Sequence, residues 1–176
     1  MKTLQLKMGC VLTGLLILGF ASCGGEKRPE GMPDLYPAKV TIVQEGKPLE
    51  GGVVTLVNND SSQSKWIVGG RTDAAGICHL TTQGKFKGVP AGKYKVLVTK
   101  SEKTESETAK QPVPADSKAA DEYYAKIRKE EKYYEYVEEK YKLTSTSGLE
   151  MEITSGTNEQ TFDVGKAIQK EFTPLQ

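Results

Sequence analysis

The stretch "RTDAAGICHL" (71–80) gathers residues that could do chemistry. It holds His79, the only histidine in the chain, beside Cys78, Asp73 and Arg71. A thiol next to an imidazole suggests nucleophilic catalysis, and Cys, His and Asp together suggest a metal. The spacing argues against both. Neighbours along a strand face opposite ways, so Cys78 and His79 are a poor catalytic pair. One histidine without a second ligand is a poor zinc site, since zinc takes three or four protein ligands. Asp-Ala-Ala-Gly is instead turn chemistry: Asp73 can bond backbone amides and Gly76 supplies a positive φ. No catalytic residue, metal or cofactor is expected.

Another cysteine carries a different chemistry. Lys2 and Lys7 flank the start of a run from Met8 to Phe20 that is mostly apolar and free of charge. As a helix this run would span roughly 20 Å at about 1.5 Å per residue, short of a hydrocarbon core of about 30 Å. It therefore reads as a signal peptide, not a transmembrane helix. The "GFASCGG" that follows (19–25) resembles the lipobox of bacterial lipoproteins. The resemblance implies that residues 1–22 are cut away and that Cys23 is acylated, with palmitate-type chains holding the protein to a membrane. Phe20 departs from the leucine-like residue usual at that position. Gly24 is not the aspartate that retains some lipoproteins in the inner membrane, so the outer membrane of the cell envelope is favoured.

Processing simplifies the rest. Cys10 leaves with the signal and Cys23 takes lipid, so Cys78 stands alone and no internal disulfide is expected. Loss of Lys2 and Lys7 leaves 22 basic residues against 23 acidic ones, about −1. This balance holds no nucleic acid phosphate backbone, so nucleic acid is not an expected partner.

The elements that must position these residues follow from periodicity. Residues 23–37 carry the lipidated cysteine and a tether rich in Pro and Gly. From Ala38 the period is two. "KVTIVQ", "VVTLVN", "KWIVGGR", "ICHLTT" and "GKYKVLVTK" read as strands separated by turn signals. "SEKTESETAKQPVPAD" (101–116) reads as a loop. Residues 117–142 have no Gly or Pro and place Ala120, Tyr124, Ile127, Tyr134, Val137 and Tyr141 near one face at helical spacing. One helix of about 25 residues, roughly 37 Å long, is expected there. "SGLEMEITSGTNEQTFDV" (147–164) reads as a hairpin around Gly156 and Asn158, and 166–176 as a weakly determined tail.

"GKPLEGGVVTLV", "GRTDAAGICHL" and "VPAGKYKVLV" together resemble the transthyretin-like and carboxypeptidase-regulatory-like domains of bacterial lipoproteins. The resemblance covers about 38–100 and 143–164. It implies a mainly β, prealbumin-like (Ig-like) antiparallel β-sandwich over 38–165, with one long helical insertion at 117–142. It also implies that Cys78 and Leu80 point into the core while His79 and Ile77 point out. One transthyretin-related enzyme, the hydrolase of 5-hydroxyisourate, needs several histidines and a C-terminal Tyr-Arg-Gly-Ser. This chain has one histidine and ends "FTPLQ".

The expected function is therefore non-catalytic: binding, adhesion or an accessory role in the envelope. Six of the eight tyrosines lie in 117–142. Tyr123, Tyr133 and Tyr136 are candidate contacts for an envelope protein or glycan, because tyrosine joins apolar area to a polar tip. Trp66 is a candidate platform for a carbohydrate-binding module, the alternative reading; a hydrolase ranks behind both.

Overall fold

The computed structural model describes residues 27–60 and 64–173. The signal segment and Cys23 lie outside these residues. In chain order the strands are β1 (Leu35–Tyr36), β2 (Ala38–Gln44), β3 (Lys47–Pro48), β4 (Val53–Asn58), β5 (Val68–Arg71), β6 (Ile77–His79), β7 (Thr81–Thr82), β8 (Phe86–Lys87), β9 (Val89–Pro90) and β10 (Gly92–Thr99). Then come β11 (Ser101–Lys103), the helix α1 (Ser117–Glu130), β12 (Tyr133–Glu135), β13 (Glu150–Ile153), β14 (Asn158–Asp163) and β15 (Lys170–Phe172).

Two sheets make a β-sandwich. The larger runs β13-β10-β4-β5-β7-β8, antiparallel throughout. The smaller is built around β2, with β14 on one side and β3 and β6 on the other. Alternation decides the facing side. In β2, Ala38, Val40 and Ile42 are buried and the residues between them half-exposed. In β10, Tyr94, Val96 and Val98 are buried in the same way. These rows meet Val54, Leu56, Val68, Cys78, Leu80, Met151, Ile153 and Phe162 in one core. Branched side chains suit such pleated, half-buried surfaces. Tyr94 is 2% exposed, and its hydroxyl donates to the Pro90 carbonyl at 2.8 Å, so the buried phenol is satisfied.

Residues 71–80 cross between the layers. Arg71 ends β5 in the larger sheet, β6 pairs with β2 in the smaller one, and β7 returns to the larger sheet after Leu80. Asp73 Oδ1 accepts from the amides of Ala75 and Ile77, both at 2.9 Å. Gly76 has φ +73°, and a Cβ there would lie 2.5 Å from the Ile42 carbonyl oxygen. That oxygen is committed to the Leu49 amide (2.9 Å), while Gly76's own carbonyl accepts from the Ile42 amide at 2.8 Å. The turn is thus locked to β2 from both sides.

Several sequence expectations are corrected. The helical insertion is present, but α1 spans 14 residues, not 117–142. It starts as expected, with Asp116 capping the Ala119 amide at 2.9 Å. It stops at Glu131, whose backbone is extended (φ −71°, ψ 126°). "YYEYV" then takes the strand period, since aromatic and β-branched residues fit a sheet. Val137 and Tyr141 reach the sandwich core from beyond β12, not from a helix face. The supposed loop 101–116 contains β11 and a 3-10 turn at Thr108–Lys110. The supposed tail contains β15, which pairs with β12. The tether ends before Leu35, because β1 pairs with β9. Trp66 precedes β5 in a turn instead of lying in the strand.

The 147–164 hairpin is also corrected. β13 pairs with β10 in the larger sheet, while β14 pairs in parallel with β2 in the smaller one. Asn158 makes the crossing: its side chain accepts from the Thr154 amide (3.0 Å) and donates to the carbonyls of Thr154 and Gly156 (both 3.1 Å). The two runs are neighbours in sequence on opposite layers.

Gly76→Ala adds a Cβ in a left-handed conformation against a backbone oxygen. We expect it to destabilise the fold by about 2–3 kcal/mol. A lowered urea midpoint with unchanged m is the expected result.

Candidate functional site

The sandwich leaves one part of the chain unaccounted for. Beyond Lys100, β10 continues as β11, which pairs with β12 and through it with β15, making a three-stranded ribbon. At its base Thr104 and Lys132 face each other. The Thr104 amide donates to the Lys132 carbonyl at 2.8 Å, and the Lys132 amide donates to Thr104 Oγ1 at 2.9 Å. Residues 105–131 therefore leave and rejoin the ribbon at one point. They contain the 3-10 turn, in which Thr108 is buried, and α1, which has no buried residue.

The insertion is nevertheless held in shape. The Glu130 carboxylate accepts from Ser106 Oγ (2.6 Å), the Thr108 amide (3.1 Å) and Thr108 Oγ1 (2.9 Å). The Ser106 hydroxyl first, then the two Thr108 groups, pull its pKa down to about 2, with Lys126 adding to the effect at 3.7 Å. Ser106 and Thr108 are themselves buried beneath the carboxylate. Lys103 and Glu131 pair across the base at 2.8 Å. These are the residues that sequence reasoning missed. The signal was present in "SET" (106–108) and in a helix-terminal glutamate, but nothing local says that they meet.

The ribbon is fastened to the sandwich by polar groups. Gln44, buried at the far end of β2, donates through Nε2 to the carbonyls of Tyr136 (2.8 Å) and Lys166 (3.2 Å). Glu135 Oε2 accepts no hydrogen bond and is met instead by the Lys142 ammonium as an ion pair.

The structure separates the tyrosines that the sequence reading put on one helix. Tyr123 and Tyr124 alone lie in α1, edge to face at 5.2 Å, and Tyr123 donates to the Gln111 carbonyl at 3.0 Å. Tyr133 lies in β12 against Phe172, its cross-strand partner, at 5.9 Å. Tyr136 follows β12 with Lys100 Nζ 5.4 Å from its ring. Partial burial, then the Glu102 carboxylate, raise its phenol above the ordinary value. Tyr133 and Tyr136 are half-buried on the ribbon and Tyr123 half-buried on the insertion; only Tyr124 is open, at 46% exposure. Trp66 is 7% exposed, with Lys65 Nζ 4.7 Å from its ring, and presents no open face for a sugar.

In the stretch 71–80, Cys78 is fully buried and Leu80 nearly so, while His79 is exposed on the next position. Burial, with a smaller effect from Asp73, pushes the Cys78 thiol up to about 11, the opposite of an activated nucleophile. Among the described residues no group of three or more His, Cys, Asp or Glu could hold a metal. No helix among them is long and apolar enough to cross a membrane.

Comparison with family models, with curated proteins and with solved structures gave no match. The class defined is that of a mainly β sandwich with one helical insertion.

Glu130 stabilises the folded insertion only while ionised. Its folded pKa lies below the unfolded value of about 4.5, so its contribution is complete above that value and is lost as pH falls toward about 2. We expect Glu130→Gln to speed hydrogen exchange at the Thr108 amide and through α1 at neutral pH. Amides of β4 and β10 are expected to stay protected in the same experiment.

Proposed function

We propose that this is a lipid-anchored protein of the bacterial envelope, with a transthyretin-like sandwich as scaffold and a non-catalytic binding or accessory role. The observation that carries the binding role is the insertion 105–131. It closes on itself at Thr104–Lys132, is braced from within by Glu130, and buries no residue of its helix. A scaffold that needed only stability would gain nothing from it. Its open faces carry Tyr124, Val113 and many charges, a mixture suited to a protein surface. The buried Trp66 removes the support for a carbohydrate platform.

The test is in-cell crosslinking of the full chain against one in which an Asn-Gly turn joins Thr104 to Lys132, replacing 105–131. The paired base makes this a two-residue hairpin and leaves Val137 and Tyr141 in the core. We expect the shortened chain to fold and to lose the crosslinked partner. Identical partners for both chains would overturn the reading.

The anchor rests on the lipobox-like "GFASCGG" alone. Metabolic labelling with palmitate is expected to mark the full chain and to disappear in Cys23→Ala; label that survives would defeat the assignment.

A further inference from the structure

At the opposite end of β2 from Gln44, a cavity of about 410 Å³ opens between β1, the start of β2 and the β6–β8 segment. Leu35, Pro37, Ala38 and Leu80 give it an apolar lining, and its volume falls in the ~300–1,000 Å³ range of small-molecule sites. The backbone around it is satisfied: the Leu80 amide donates to the Ala38 carbonyl (3.0 Å) and the Gly88 amide to the Leu80 carbonyl (3.1 Å). Thr81 Oγ1 is also engaged, donating to the Gly69 carbonyl at 3.1 Å.

Two side chains in the lining are left over. Among the described residues neither the His79 nor the Lys87 side chain has a hydrogen bond or an ion pair, and no Asp or Glu lines the cavity. Lys39, the cross-strand partner of His79, is already paired with Glu159 at 3.1 Å. Lys87 thus brings an unpaired ammonium, and His79 a ring N–H, beside an apolar surface. From this we infer that the cavity is a binding site for a small monocarboxylate with an apolar body, its carboxylate taken by Lys87 and the His79 N–H and its body lying on Leu35, Pro37 and Leu80. The site lies at the other end of β2 from Gln44, which seats the ribbon, and is independent of the insertion's role.

The chain offers its own reporter, since His79 is its only histidine. The full chain, reconstituted in nanodiscs of zwitterionic lipid at fixed pH, is titrated with octanoate, octan-1-ol or octylammonium, with free probe measured in each sample. The imidazole resonances are followed by NMR. Octanoate is expected to give a saturable shift at least tenfold tighter than octan-1-ol. Lys87→Glu, a change at an exposed position, is expected to weaken octanoate by at least tenfold and to bring in octylammonium instead, which also shows that the variant is folded. Equal binding of octanoate and octan-1-ol, an octanoate affinity unchanged in Lys87→Glu, or no saturable shift would each overturn the inference.

Discussion

The fold depends on the two edges of β2. This strand buries Ala38, Val40, Ile42 and Gln44 along one side and has no spare hydrogen-bonding edge, because β14 pairs along one flank and β6 and β3 along the other. Those partners come from distant parts of the chain. Fixing β2 fixes where 71–80 crosses the sandwich, where the chain returns after Asn158, and through Gln44 where the ribbon is seated. Its apolar middle is ordinary hydrophobic burial. Its polar end is a point of specification: a buried amide that reaches two carbonyls can accept one arrangement of the three segments it joins.

Much of this was legible in the residues. The alternation in "KVTIVQ", "VVTLVN" and "KYKVLV" identifies strands and their inward faces, because burial on one face imposes the period directly. The turn at 73–76 was legible for the same reason: Asp73 and Gly76 satisfy local needs. The inside–outside order of Cys78, His79 and Leu80 was an implication of the resemblance, and these residues are placed in that order. What could not be read were the partners. "EKYYEYV" fits a helix by composition and a strand by its aromatics, and the choice is made by β11 and β15, which lie elsewhere in the sequence. Asn158 looked like a hairpin residue, and it does close a tight turn, but the strands on either side join different sheets.

The candidate sites divide in the same way. A tyrosine row at helical spacing is an argument about one element, and it failed when that element ended at Glu130. The Glu130–Ser106–Thr108 brace exists only after distant segments are brought together, and the cavity beside His79 and Lys87 only after Leu35 and Pro37 reach the β6–β8 segment. No local period encodes either. Trp66 shows the converse: a residue type associated with ligand platforms is nearly covered by the protein itself.

The parallel pairing of β14 with β2 has a consequence for the order of events in the cell. Residues 38–44 cannot complete their sheet until residues 158–163 are present, close to the end of the described chain. Contacts of such long sequence separation form late and slowly. Until that strand arrives, the emerging chain lacks its last central partner and stays open. The same arrangement leaves the apolar edge of β2 unprotected in the interval, when pairing with another chain competes with pairing to its own C-terminal strand.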